Sequence, residues 1–195
     1  MNVPLKDGID DDSFASLFQP IISSIMQFYN PSAVVLQCGA DSLAGDRLGV
    51  FNLSSRGHAN CVRFVKSFNR PLIVLGGGGY SIRNVPRAWC YETALLLNQD
   101  VSEGTNPWYY SPNQLDIPYN EYFEYYGPTY KLLVEPSNME NQNSRKDLDR
   151  LVEKCTERIR GLNHAPSVPL QAVPRDWEFD SSESDDDEKS DQSEK

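Results

Sequence analysis

Apolar residues recur at two different periods along the chain, and the two periods predict alternating helices and strands. From residue 14 to residue 29 the apolar positions lie three or four apart, which predicts one buried face of a helix running to about residue 28. Acidic and hydroxyl side chains at residues 10–13 suit the start of this helix, where they cap free N–H groups and meet the positive end of the dipole. Pro20 predicts a kink or break inside it, and the Asn-Pro pair at residues 30–31 ends it.

A short apolar strand, a polar loop and a helix follow, and this unit is then repeated once. The predicted strands are residues 33–38 and 71–75, and the predicted helices are residues 56–68 and a segment beginning near Val85. Continuous apolar runs with β-branched residues suit a parallel sheet that is covered on both faces. The alternation of strands and helices therefore predicts an α/β fold.

The remaining chain is irregular, then helical, then strongly acidic. Residues 98–143 are rich in Pro, Asn and Tyr without a sustained period, which predicts an irregular segment at the surface. Asn143 or Ser144 is placed to cap a last helix that ends at Gly161. Residues 176–195 hold ten acidic residues and two lysines, so this stretch carries most of the chain's net charge of −10 and is predicted to be disordered. The rest is nearly neutral and has no basic stripe for nucleic acid.

Cysteine usage and hydropathy indicate which cellular compartments suit the chain. The four cysteines, at positions 38, 61, 90 and 155, form no C-x-x-C pair, which predicts free thiols in a reducing environment. No apolar run approaches the roughly 18 residues of a membrane span, and the first residues lack a signal-peptide pattern. We therefore expect no contact with a membrane.

Each of the two polar loops offers one residue that could carry chemistry. Asp41 lies in the first loop (residues 39–49), and Tyr80 lies in the second loop (residues 76–84). Ligands collect beyond the carboxyl ends of parallel strands, so neighbouring strands would bring both residues to one crevice. Asp41 is either a metal ligand or an Asx-turn residue, with Asp46 as the competing carboxylate. Tyr80 is either a hydrogen-bond donor to an oxyanion or a tyrosine packed at a helix start.

The glycines and arginines of these loops leave further alternatives. Glycines at 76–79 predict a positive φ or a close approach of the backbone to a ligand. A G-x-G-x-x-G phosphate loop is disfavoured because Ser81 and Ile82 stand where its last glycine is required. Arg47 and Arg83 are either a pair that clamps a phosphate or carboxylate, or ordinary surface arginines. A catalytic zinc needs about three protein ligands and a general base, and this chain offers one good ligand.

Five stretches, in order and spacing, resemble the C-terminal part of a class I histone deacetylase over about residues 2–174. They are VVLQCGADSLAGDRLG, GHANCVRFVKSFNRPLIVLGGGGYSIRNVPRAWCYET, YNEYFEYYGP, PSNMENQNS and HAPSVPLQ. The resemblance implies an arginase-like fold, with a partial deacetylase domain over residues 1–173 and a disordered acidic tail over residues 174–195. It implies hydrolysis of acetyl-lysine on histone tails by zinc-activated water, in nuclear corepressor complexes.

The resemblance also implies roles for single residues of the pocket. Asp41 matches a zinc ligand of the family, and Tyr80 matches the tyrosine that polarises the acetyl carbonyl and stabilises the oxyanion. Gly78 matches the glycine wall of the acyl-lysine tunnel, and Leu48 matches a leucine at its rim. Cys38, beside the pocket, is expected to be a reactive thiol.

Two expectations follow from what the matching stretches contain. The family's histidine dyad and its other two zinc ligands lie upstream of them, so we expect a truncated chain that is inactive alone. Arg47 and Arg83 match two arginines that hold an inositol phosphate, so the alternative is a non-catalytic module that binds inositol phosphate and SANT-type corepressors. A nucleotide-binding α/β protein is a third interpretation, which the missing glycine disfavours. Residues 101–114 look like an insertion relative to the family.

Overall fold

A computed structural model of the chain describes residues 1–99 and 116–162, and these ranges hold four α-helices and a two-stranded parallel sheet. The elements are α1 (Asp11–Phe28), β1 (Val34–Gln37), α2 (Ser55–Lys66), β2 (Leu72–Leu75), α3 (Asn84–Leu96) and α4 (Arg145–Arg160). This order confirms the predicted α/β class. The expected insertion at 101–114 and the acidic tail from residue 174 lie outside the described residues.

The outer helices begin where the sequence predicts. The side chain of Asp10 accepts a hydrogen bond from the Ser13 amide at 2.8 Å, which caps α1. Ser144 caps α4 in the same way, accepting from the backbone of Asp147 at 3.2 Å. Each such cap satisfies an otherwise free N–H group and is typically worth about 1 kcal/mol.

Pro20 lies inside α1 without ending it, so the predicted break is wrong. Leu17 and Ile21, on either side of Pro20, are both buried in the core between α1 and α4. This packing holds the helix together across the one hydrogen bond that proline removes. The core is an apolar cluster of six buried residues, Ile9, Leu17, Ile21, Leu148, Cys155 and Ile159.

The sheet has one covered face and one exposed face. The strands run side by side, with Val34 opposite Leu72 and the pairing continuing to the last residue of each strand. Leu36 lines a cavity together with residues of α1 and α2, so these helices lie over its face. On the other face Val35 and Ile73 are 63% and 58% exposed. The expectation of a sheet covered on both faces is therefore wrong within the described residues, because their helices reach only one side.

The segment from residue 116 to residue 142 is irregular, as predicted, apart from one 3₁₀ turn at Phe123–Tyr126. Three of its tyrosines are largely exposed: Tyr119, Tyr122 and Tyr125. Among the described residues, none of the helices combines the length and the apolar character that crossing a bilayer requires.

Candidate functional site

The two polar loops leave the sheet side by side. The backbone N–H of Ala40 donates to the carbonyl of Gly78 at 2.6 Å. Each of these residues lies three positions after the last paired residue of its strand, Gln37 or Leu75. A methyl group added to Gly78 would lie 2.2 Å from Oδ2 of Asp41, so the carboxylate rests directly against this glycine. The structure thus brings Asp41 and Gly78 together. Of the two expectations for these glycines, a positive φ is confirmed at Gly79, where φ is +144°, and a close approach to a ligand stays a prediction.

Asp41 lies in a short 3₁₀ turn, Ala40–Ser42, in which Ala40 is buried and the other two residues are partly buried. Ala40 and Leu43 are almost fully buried against Ala88 of α3, with Val85 and Trp89 packed around them. A side chain such as Leu43 contributes roughly 1.5–3 kcal/mol when it is fully buried. The turn that carries Asp41 is therefore fixed from below by α3.

A buried ion pair supports the same turn from α2. Nε2 of His58 lies 3.0 Å from the carbonyl oxygen of Gly39, and Nδ1 makes a short hydrogen bond with the carboxylate of Glu92. Both ring nitrogens therefore face acceptors, which requires the doubly protonated imidazolium. Burial lowers the pKa of His58, but the hydrogen bond and charge of Glu92, with the Gly39 carbonyl and the charge of Asp41, more than offset it, so this pKa lies above its usual value.

His58 is engaged at both ring nitrogens, so it serves a structural role and has no nitrogen free to act as a ligand. Glu92 was not foreseen, because a single glutamate in a helical pattern carries no signal of its own. The structure, rather than the sequence, singles out Glu92, because the residue is only 3% exposed on α3. Acidic residues reach this level of burial only when they are paired.

Asp46 joins the two loops. One carboxylate oxygen accepts the N–H groups of Leu48 and Gly49, each at 2.9 Å. The other accepts the N–H groups of Tyr80 and Ser81, at 2.7 and 3.1 Å. Burial raises the pKa of Asp46, but these four backbone hydrogen bonds outweigh it and bring the pKa below its usual value. The sequence presented Asp46 only as a competing carboxylate.

The remaining predicted site residues lie on the outer surface of the loops. Tyr80 is 46% exposed and Leu48 is 69% exposed, so both side chains are open to an incoming molecule. Arg47 and Arg83 are exposed too. Burial and the charge of Arg83 lower the pKa of Arg87, so these two cations lie near each other.

A cavity of about 390 Å³ lies behind Asp41, and its lining includes Leu36, Cys38 and His58. Burial, followed by the charge of Glu92, raises the pKa of Cys38 to about 12. Cys38 is therefore a neutral thiol at pH 7 and is only 4% exposed, so the expectation of a reactive thiol is wrong. All four cysteines are free, as predicted.

The fit of these residues to a zinc ion is incomplete. Within residues 1–99 and 116–162, no three His, Cys, Asp or Glu side chains lie close enough together to hold a metal. His58 has both nitrogens engaged, and Cys38 is protonated, which leaves Asp41 as the one predicted donor. The described residues therefore do not form a zinc site by themselves.

Comparison with known proteins gives a consistent result. The family model for the histone deacetylase domain matches residues 1–96, which include both loops. Type-1 histone deacetylase 1 of Dictyostelium discoideum is 53% identical over 188 residues, which cover 96% of this chain and 35% of that protein. Histone deacetylase 6 of Arabidopsis thaliana is 59% identical over 174 residues, covering 89% of this chain and 34% of the relative. Histone deacetylase 1 of Homo sapiens is 54% identical over 176 residues, which cover 90% of this chain and 34% of that protein.

The chain thus spans about a third of the length of the curated relatives that it matches. The identity extends over almost the whole chain and includes the loops that bear Asp41 and Tyr80. These matches show that the chain is a homologue of the histone deacetylases and resembles a fragment of a class I enzyme of that family.

Proposed function

We propose that the chain supplies the Asp41 and Tyr80 part of a zinc-dependent site that hydrolyses acetyl-lysine on histones. The observation that supports this most directly is the pairing of the two loops, which sets the Asp41 carboxylate against Gly78 and leaves the Tyr80 phenol open. Relatives named as histone deacetylases are 53–59% identical to the chain over matched stretches of 174–188 residues. Zinc would supply Lewis-acid chemistry when bound, with donors from outside the described residues joining Asp41.

Each residue has a role that its position can support. Because α2 and α3 hold the turn that carries Asp41, its carboxylate offers a hard oxygen ligand in one orientation. The Tyr80 phenol carries an O–H group that can donate to the oxygen on which negative charge develops. Removing one such donor from an enzyme typically costs 10²–10³ in kcat. Gly78 and Leu48 would line the path of the acylated lysine, Gly78 because it leaves room and Leu48 because it presents an exposed apolar side chain.

The proposal extends to the larger setting of the chain. We place residues 1–173 in a partial deacetylase domain of arginase-like fold, and residues 174–195 in an acidic tail. The exposed face of the sheet would then be covered by other parts of such a domain. Acetylated histone tails are the proposed substrates, nuclear corepressor complexes are the proposed partners, and the nucleus is the proposed location.

A chimera tests the catalytic part of the proposal. The chain replaces the 188 residues that it matches in the Dictyostelium deacetylase, and turnover of an acetyl-lysine peptide is measured. We expect an active chimera that loses roughly 100-fold or more in kcat with Asp41→Ala or Tyr80→Phe. Tyr119→Phe, an exposed tyrosine elsewhere, is the matched control. Unchanged kcat in the Asp41→Ala and Tyr80→Phe variants would refute the proposed roles.

The isolated chain is the second arm of the same test. With a single donor among the described residues, it should show no zinc-dependent turnover of the peptide by itself. Robust zinc-dependent activity of the purified chain would contradict the argument from the incomplete donor set.

A non-catalytic role is the second candidate, and it is favoured by the exposed Arg47 and Arg83 on two loops that Asp46 holds together. In this role the chain binds an inositol phosphate at the arginines and docks on a SANT-type corepressor. Calorimetry with inositol hexakisphosphate should then show binding that Arg83→Ala or Arg47→Ala abolishes. Arg150→Ala on α4 should leave binding unchanged. Equal binding by all variants would remove this candidate.

A further inference from the structure

We propose that Asp46 is the positioning residue for Tyr80, acting as a clasp between the two loops. The proposal rests on the proposed function for the role of Tyr80 itself. It adds a residue that touches neither substrate nor metal in that function and that sets where the phenol stands relative to Asp41.

The clasp is specific because each carboxylate oxygen serves one loop. Oδ1 of Asp46 accepts from Leu48 and Gly49 on the first loop, and Oδ2 accepts from Tyr80 and Ser81 on the second. The backbone of Tyr80 is thereby bonded at 2.7 Å to the loop that carries Asp41. Gly79, immediately before it, has φ of +144° and no side chain of its own to fix the backbone.

Other contacts hold the loops together independently of Asp46. Ala40 bonds the carbonyl of Gly78 at the base of the site, and the Ser81 hydroxyl donates to the carbonyl of Gly45 at 2.7 Å. Asn84, at the start of α3, is buried. Loss of the Asp46 carboxylate should therefore release the Tyr80 backbone locally while the two loops stay paired.

Asparagine cannot replace this carboxylate, although its shape is almost the same. The side chain of Asp46→Asn offers one oxygen and one NH₂ group, and the NH₂ group is a donor only. Whichever way the amide is turned, two backbone N–H groups of one loop face another donor. The Asp46→Asn variant therefore either frees Tyr80 or opens the first loop, and both displace the phenol from Asp41.

Amide hydrogen exchange on the full chain, followed by NMR, tests the clasp directly. We expect either the Tyr80 and Ser81 amides or the Leu48 and Gly49 amides to exchange at least tenfold faster in Asp46→Asn, while the Ala40 amide keeps its protection. Asp149→Asn, an exposed carboxylate on α4, is the control and should change none of these rates. Unchanged rates at all four loop amides in Asp46→Asn would overturn the proposal.

A double-mutant cycle in the chimera tests the positioning role. Asp46→Asn should lower kcat by roughly 10- to 100-fold with KM within about twofold, since a displacement near 1 Å has effects of this size. Added to Tyr80→Phe, it should lower kcat no further than about twofold, because the group that it positions is already absent. Fully additive losses would overturn the assignment to Tyr80.

The outcomes separate this inference from the proposed function. If Asp41→Ala and Tyr80→Phe leave kcat unchanged, the proposed function fails, and the exchange rates still decide whether the clasp exists. If Asp46→Asn does not fold, Asp46→Glu serves in its place, because it keeps the charge and both oxygens but moves them by one methylene. The same non-additive loss is expected from it, and an additive loss again refutes the assignment.

Discussion

Glu92→Gln should destabilise the chain strongly at acidic pH and only weakly at alkaline pH. The substitution removes one negative charge from a buried pair and leaves the shape of the side chain almost unchanged. His58 and Glu92 are 12% and 4% exposed at their side chains, so water does not replace the lost partner. Asp41 is the other charged group near His58, and it lies toward the cavity.

The size of the destabilisation depends on the protonation state of His58 in the variant. Where His58 stays charged, the variant buries a cation without its partner, and breaking such a pair costs about 3–5 kcal/mol. Where His58 can release its proton, the remaining loss is that of one weakened hydrogen bond, about 1 kcal/mol. We expect the free energy of unfolding to fall by about 3 kcal/mol at pH 5.5 and by about 1 kcal/mol at pH 8.

The direction of the pH dependence can be checked explicitly. In the unchanged chain the pKa of His58 lies above its ordinary value of 6.5, so the stability from the pair is fully present below pH 6.5 and is lost as pH rises through the folded-state pKa. In Glu92→Gln, burial dominates and lowers the pKa of His58, so the folded state gains stability as pH rises. The difference between the two proteins therefore shrinks with rising pH.

Urea unfolding followed by tryptophan fluorescence, at several pH values between 5.5 and 8, measures this difference. Asp149→Asn removes a charge from an exposed pair with Arg145 and should cost under about 0.5 kcal/mol at every pH. A destabilisation by Glu92→Gln that stays constant across the range would refute the reasoning, since it would mean that His58 has the same protonation state in both proteins.

Three further predictions concern the loop, a helix start and the open face of the sheet. Gly78→Ala should lower kcat of the chimera roughly 100-fold, because the new methyl would lie 2.2 Å from the Asp41 carboxylate and must displace it; unchanged kcat would contradict this packing. Ser144→Ala should lower the melting temperature by about 2–4 °C, measured by calorimetry, because it removes the α4 cap. The isolated chain should associate through its exposed sheet face, and the double change Val35→Thr with Ile73→Thr should shift light scattering toward the monomer; equal association of both proteins would point to another surface.

Features encoded by neighbouring residues could be predicted from the sequence. The caps at Asp10 and Ser144 were found because a cap and the amide that it satisfies lie three residues apart. The neighbouring position of the two loops that carry Asp41 and Tyr80 followed from one rule about the carboxyl ends of parallel strands. These features depend on local geometry and on the order of elements alone.

Contacts between distant residues could not be predicted in this way. Asp46 and Tyr80 are 34 positions apart, and so are His58 and Glu92, so each contact exists only after the strands have their register and the helices are packed. The open sheet face was missed for a related reason. The apolar run at Val34–Gln37 looks the same whether or not a second layer of helices lies over it.

The Ala40–Gly78 and Asp46–Tyr80 hydrogen bonds between the loops also affect how the site forms during folding. The hydrogen bond between Ala40 and Gly78 closes a loop of the chain. The entropic cost of this loop closure must be offset before the contact stabilises the folded state. Once it has closed, Asp46 and Tyr80 are already neighbours, so the second tie adds only a small closure cost. The second contact therefore follows from the first at little further entropic cost, provided that α2 keeps His58 in contact with the Gly39 carbonyl.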